Sequence, residues 1–272
     1  MSTNDYAHKD DCCQAFAASY EQSSLPAMRN VERSVLGCDY GGTSWTTSVQ
    51  AAQIIELLML RCGIHLLEIG AGSGWPGLYL AAASGCDVSL VDLPLNALTK
   101  ALNRARSDGI GDRVSAVSAS GAALPFRDAS FGALSHSDVL CCLPEKQEML
   151  QECRRVASDG ATMLFSVIAI TPGLAPAEHR KAVEAGPPFV AAPGDYADLL
   201  SQSGWQPVDH IDVTVEYRKS LCALVKGFTE SRELSAALGV DVVGEALARR
   251  RTQIEAIDAG WLKREAFLVA AA

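Results

Sequence analysis

The sequence is poor in charge and in aromatic rings, with 20% Asp, Glu, Lys and Arg and 6% Phe, Trp and Tyr. Basic residues are the scarcer class, 23 against 32 acidic ones, which leaves a net charge of −9. Such a chain builds no positive field to draw in phosphates, so neither nucleic acid nor an anionic membrane surface is an expected partner. The one basic cluster, Arg249-Arg250-Arg251, is short and reads as the solvated face of a helix. No apolar run approaches the roughly eighteen residues that a membrane-spanning helix needs. There is no Cys-x-x-Cys pair, and without that spacing no zinc or other metal is expected. The cysteines number nine, and the opening Met-Ser-Thr-Asn-Asp lacks the basic-then-apolar design of a secretory leader. Reduced thiols in a cytoplasm are therefore expected, most of them acting as small hydrophobes.

What is present is a globular composition, 49% hydrophobic over 272 residues, enough for one enlarged domain or a domain with a cap. From residue 46 onward strand and helix patterns alternate. Strands are expected at 64–69, 87–91, 113–118, 131–136, 161–168, 206–215 and 266–271. Helices are expected at 46–62, 75–84, 94–108, 144–156 and 194–203. This rhythm implies right-handed βαβ units and a parallel sheet. Residues 1–45 read as a lid, weakly helical over 11–22 and broken at Gly41-Gly42. Residues 171–192 carry Pro172, Pro176, Pro187 and Pro188 and read as a long substrate-side loop. Residues 217–259 read as two or three helices inserted before the last strand.

The stretch Leu66-Leu-Glu-Ile-Gly-Ala-Gly-Ser-Gly-Trp-Pro-Gly77 carries the most information. An apolar strand enters a glycine turn, and Pro76 opens the next helix, where its missing N–H costs nothing. Gly72 to Gly77 formally match the dinucleotide fingerprint G-x-G-x-x-G, with Asp92 at about the right distance. Glu68 opposes that reading, because a carboxylate beside the turn repels a pyrophosphate. It suits a ligand with an ammonium group and no phosphate, which describes S-adenosylmethionine (SAM). Asp92 reads both as a helix N-cap and as an acceptor for ribose hydroxyls.

The same stretch resembles the first motif of the class I SAM-dependent methyltransferases, and the similarity runs through about residues 38–168. Val88-Ser-Leu-Val-Asp92 resembles their second strand. Leu124-Pro-Phe-Arg-Asp-Ala-Ser-Phe131 resembles their segment before the fourth strand. Asp138-Val-Leu140 and Leu143-Pro-Glu-Lys146 resemble the substrate-side loop of small-molecule enzymes that act on glycine derivatives and phosphoethanolamine. Arg154-Arg-Val-Ala-Ser-Asp-Gly160 resembles the turn before their fifth strand. The fold implied is α/β and Rossmann-like. It has a mostly parallel seven-stranded sheet with helices on both faces, an N-terminal helical lid (1–45) and a SAM-binding methyltransferase domain (46–272). That domain would include the 171–192 loop and the 217–259 insertion.

The resemblance implies these site residues. Glu68 would orient the methionine ammonium, directly or through water, Gly70, Gly72 and Gly74 would pass beneath the cofactor, Asp92 would accept the ribose hydroxyls, and Leu93 would pack on adenine. Ser120 stands where relatives carry an acid for the adenine amino group, and the Gly121 N–H would reach the ring. His136 and Asp138 are the candidate catalytic residues at the end of the fourth strand, and His136 is also placed against the cofactor. Cys142 replaces the histidine that relatives carry, which leaves His136 as the nearest imidazole able to take a proton. Read as structure alone, His136 is a hydrogen-bonded residue at a strand end. Tyr40, Trp45, Thr46, Cys142 and Phe189 are the candidate acceptor contacts, with the aromatics suited to a cationic amine. The expected reaction is methyl transfer from SAM to a small-molecule acceptor, an amine nitrogen first, then oxygen or carbon. Alternatives are a SAM-binding protein with weak catalysis, an NAD-dependent oxidoreductase disfavoured by Glu68, and thiol-assisted arsenite methylation, for which no three-cysteine pattern is seen. The carboxyl-terminal helices leave a homodimer open.

Overall fold

Residues 65–69, His-Leu-Leu-Glu-Ile, form the centre of the molecule because four of the five are buried and the strand is sheathed on both faces. The computed structural model describes the backbone of residues 3–272 and the side chains of residues 13–272. The first two residues of the expected lid and the Cys12 side chain lie outside the described residues. The strands are β1 (His65–Ile69), β2 (Asp87–Asp92), β3 (Val114–Ser118), β4 (Phe131–Ser137), β5 (Ala157–Ile170), β6 (Trp205–Asp212) and β7 (Leu262–Ala271). They make one seven-stranded sheet in the order β3-β2-β1-β4-β5-β7-β6. The strand order reverses between β1 and β4, which opens a crevice at their carboxyl ends, where open α/β sheets bind ligands. Only β7 runs antiparallel, inserted between β5 and β6.

Two apolar layers cover the sheet. On one face α3 (Ser48–Leu57), α4 (Gly77–Ser84) and α5 (Leu95–Ser107) bury Ile54, Leu78, Leu80, Leu98 and Ala101 against Leu66 and Leu90. On the other, α6 (Lys146–Val156), α7 (Pro176–Ala185) and α8 (Tyr196–Gln202) pack Met149, Cys153, Ala182 and Leu200 near Leu67, Leu134 and Phe165. The alternation of Leu66 and Leu67 between these layers is the period-2 geometry of a strand buried on both sides.

A third, smaller core joins two segments that the sequence presents as separate. Helix α2 (Pro26–Leu36) turns Ala27 and Val31 onto Phe228, Leu234 and Val243 of α9 (Thr214–Glu230), α10 (Arg232–Leu238) and α11 (Val240–Asp258). With α1 (Thr3–Ser23) these helices form a cap over the crevice. The lid expectation found only a weak helix at 11–22. It missed α2, although Pro26 at its start and a left-handed Gly37 at its end are ordinary helix punctuation.

Two further expectations change. The Pro-rich connection 171–192 is not all loop, because Pro176 sits at the first position of α7 and Glu178 bonds back to the Ala175 N–H. Asp92 is not the cap of the following helix; Pro94 occupies that position, with no side-chain bond.

Candidate functional site

A cavity of about 500 Å³ occupies the crevice, floored by the sheet edge and roofed by the cap helices. Its floor begins at the glycine turn. Gly70, Gly72 and Gly74 all have positive φ (+68°, +53° and +99°), a region that side-chain-bearing residues rarely enter. Gly70 and Gly72 line the cavity. A Cβ on Gly72 would strike the Tyr20 hydroxyl, and one on Gly70 would strike Val139. Gly74 is not a lining residue; its missing Cβ makes room for Leu78 and Ala101 behind the turn.

Asp92, at the end of β2, lines the cavity beside that turn. One carboxylate oxygen accepts the Gly72 N–H at 2.6 Å and the other accepts the Leu93 N–H at 2.7 Å. Burial pushes its pKa up to about 6 despite these two bonds. Ser73, next along the turn, also lines the cavity, and its hydroxyl is buried without a hydrogen-bond partner. Leu93, Ser120 and Gly121 line the same end, where the Ser120 hydroxyl accepts the Ala122 N–H at 3.3 Å.

Glu68 and His136 do not reach the cavity surface. The Glu68 side chain lies beneath the first turn of α4, against Gly77, and accepts a hydrogen bond from the Ser135 hydroxyl. It is 1% exposed, and burial raises its pKa to about 7. Direct contact with a cofactor ammonium is therefore not what this position offers. His136 is also 1% exposed, stacked on Phe165 at 4.6 Å, and neither ring nitrogen has a hydrogen-bond partner. Burial lowers its pKa to about 3, so the ring is neutral. Strand alternation explains both: side chains within β1 and β4 point into the layers on either face, and the crevice is lined by the last strand residues, Ile69 and Ser137, and those just beyond them.

Asp138 does line the cavity, in a left-handed conformation with φ +58°. Its partner was not foreseen. Arg264, from β7, is almost wholly buried and forms an ion pair with Asp138, with Nη2 to Oδ2 at 3.0 Å and Nε to Oδ1 at 3.0 Å. The same guanidinium donates to the Ser166 hydroxyl at 2.8 Å, and Thr46 donates to Ser137 at 3.0 Å beside it. Thr46 thus ties the lid to the floor and does not line the cavity. No sequence signal pairs residues 138 and 264, because the link is made by the insertion of β7 next to β5.

Among the expected acceptor contacts, Trp45, Cys142 and Phe189 line the cavity. Tyr40 does not; it packs on Trp75 at 5.1 Å and under the Arg104 guanidinium at 4.5 Å. Phe189 is anchored through its carbonyl, which accepts a bond from Lys146 Nζ at 2.6 Å; that ammonium also serves Leu140 and Leu143. Burial lowers the Lys146 pKa to about 8. On the lid side, buried Glu32 accepts the Gly41 and Gly42 N–H groups at 2.7 and 3.1 Å and fixes the strap above Ser73. Tyr20, Ser73, Glu32 and Lys146 were all missed, since each is defined by contacts across the chain. Among the described residues no group of three metal-ligating side chains occurs, and no helix is long and apolar enough to cross a membrane.

The methyltransferase domain family matches residues 67–165, from the glycine turn into β5. A 27-O-demethylrifamycin SV methyltransferase of Amycolatopsis mediterranei is 29% identical over 185 residues, 66% of this chain and 68% of its own length. Two solved structures share the fold at 16% identity. One is phosphoethanolamine N-methyltransferase 2 of Haemonchus contortus, with a TM-score of 0.76 over 89% of this chain and 56% of that one. The other is geranyl diphosphate C-methyltransferase of Streptomyces coelicolor, with a TM-score of 0.67 over 83% and 78%. Both were solved with S-adenosylhomocysteine bound. The ordered glycine turn, the Asp92 carboxylate, the sheet with its antiparallel seventh strand and the methyltransferase-domain match over residues 67–165 lead to one assignment: the protein is a SAM-dependent methyltransferase with the class I fold.

Proposed function

We propose that the enzyme methylates a small, largely apolar molecule at oxygen or carbon. The observation that carries this reading is the far wall of the cavity. There Val31, Leu224, Phe228, Leu238 and Val243 of the cap replace the polar surface of the cofactor end. The relative named for a rifamycin oxygen and the neighbour named for geranyl diphosphate carbon are consistent with it. The amine expected from the resemblance has less support. Asp138 is already paired with Arg264, Glu32 is committed to backbone N–H groups, and the Trp45 face is taken by Arg250. An ammonium acceptor would find no carboxylate free of other donors among these groups; Asp138, its charge already met by Arg264, keeps only a lone pair that a neutral hydroxyl can use.

The residues present fit the cofactor. Each Asp92 oxygen has accepted one backbone N–H and keeps a lone pair for a ribose hydroxyl. The unpartnered Ser73 hydroxyl is available to the amino-acid tail, and the left-handed Gly70 and Gly72 bring bare backbone to the cavity surface. Leu93, Ser120 and Gly121 form the adenine end. Glu68 supports the turn from below as a positioning residue. Bound SAM supplies a methyl group on a sulfonium, already a good leaving group. The protein therefore supplies alignment and exclusion of water, and Asp138, at the cavity surface, accepts a hydrogen bond from the acceptor. In this reading residues 1–45 and the 217–259 insertion are the cap, 46–272 is the SAM-binding domain that includes that insertion, and 171–192 is the acceptor-side wall through Phe189.

The test is transfer from labelled SAM to a panel of apolar alcohols, apolar acids and small hydrophilic amines. Turnover with the apolar members supports the reading; turnover with the hydrophilic amines alone overturns it. A SAM-binding protein with little turnover is the second reading, favoured by the withdrawal of His136. Tight S-adenosylhomocysteine binding with no transfer across the panel would establish it.

A further inference from the structure

Helix α11 crosses the cavity with one face, and that face changes character along its length. Val242, Val243 and Ala246 line the cavity in its first turns, and Arg249, Arg250 and Gln253 line it in the next. Positions 243, 246, 250 and 253 follow the spacing of a single helical stripe. About 10 Å of helix rise separates the apolar start of the stripe from Arg250. Of the three arginines taken as a solvated face, Arg250 therefore points inward, while Arg249 is exposed at the cavity rim.

Their surroundings are incomplete in charge. The Arg250 guanidinium lies over the Trp45 ring at 5.0 Å and donates to Gln253 Oε1 at 2.8 Å. Among the described residues neither Arg249 nor Arg250 has a carboxylate within 4.0 Å, while Arg264 nearby is fully paired with Asp138. Burial and the neighbouring Arg249 lower the Arg250 pKa to about 10, a value that still leaves it charged. A half-buried cation facing a cavity, with a second cation at the rim beside it, is electrostatically costly unless an anion joins the pair.

We propose that the acceptor is an anionic amphiphile. Its carboxylate or phosphate group is held by Arg249 and Arg250 beside Trp45, and its apolar part lies against Val31, Phe228, Leu238 and Val243. The proposal rests on the apolar-acceptor reading above and adds the anion. The planar guanidinium fork suits an oxyanion, and its fixed position relative to Asp138 would set which atom of the acceptor faces the methyl group.

The experiment is calorimetric titration of the S-adenosylhomocysteine-loaded protein with octanoate, octyl phosphate, octanol and octylamine at pH 8. It is repeated on the variant R249Q/R250Q. The expected result is that at least one of the two anions binds about tenfold or more tighter than octanol, as for hydrogen bonds to charged groups, and that the variant loses this advantage. Preference for octanoate over octyl phosphate, or the reverse, identifies the anion. The variant is checked by S-adenosylhomocysteine binding, so loss of fold is not mistaken for loss of the anion site. Equal binding of octanol and the anions, or anion binding unchanged in the variant, overturns the anion claim alone. If none of the four binds, the apolar-acceptor reading fails with it.

Discussion

The two ends of the cavity are built differently. The cofactor end is made of backbone: a left-handed glycine turn, N–H groups on Asp92, and residues that follow directly from strand ends. The acceptor end is made of side chains from distant segments: Val31, Trp45, Asp138, Phe228, Arg250 and Arg264. Backbone geometry leaves a local signature in sequence, because only certain residues permit it. Convergent side chains leave none. The comparison teaches that, in the proposed reading, the cofactor would be held by the part of the molecule least free to vary and the acceptor would be chosen by the cap.

The strongest way to break this division is at its hinge, the Asp138–Arg264 pair. Arg264→Met strands a buried carboxylate and is expected to cost about 3–5 kcal/mol in urea unfolding. A loss below about 1 kcal/mol would mean that the pair is as weak as a solvated one. A smaller effect sharpens the cofactor end. Burial raises the Asp92 pKa to about 6, and in the proposed reading ribose hydroxyls would donate to its ionised form. S-adenosylhomocysteine affinity should be flat above that pH and fall by up to about tenfold per unit below it. A flat profile from pH 8 to 5 would remove Asp92 from the site. The smallest effect concerns His136. It stacks on Phe165 with no hydrogen bond, so His136→Leu, closer to it in volume than Phe and without a titratable group, should leave the methyl-transfer rate within about twofold. A large loss in rate, at unchanged stability, would return His136 to the chemistry.

Legibility in the sequence follows the same boundary. The sheet, its helices and the glycine turn were readable because period-2 and period-3.6 patterns and glycine positions are local. The strand expected at 266–271 starts four residues earlier, at Leu262, so Arg264 fell outside it. Glu68 and His136 were placed in the site because they lie next to it in sequence; side-chain alternation turns both into the layers. Tyr40 was separated from Trp45 by packing on Trp75, which no pattern foretells. Helix α2 was hidden because its apolar face is completed only by α9–α11, over two hundred residues away in the case of Val243.

The central claim is that the glycine turn and Asp92 hold the cofactor while the cap holds the acceptor. Its most direct test is calorimetric titration of S-adenosylhomocysteine into the wild-type protein and Asp92→Ala at pH 7.5. The account predicts saturable binding to the wild type and a weakening of about a hundredfold in the variant, the loss of two hydrogen bonds to a charged group. Equal affinity in both proteins, or no binding to the folded wild type, would contradict it.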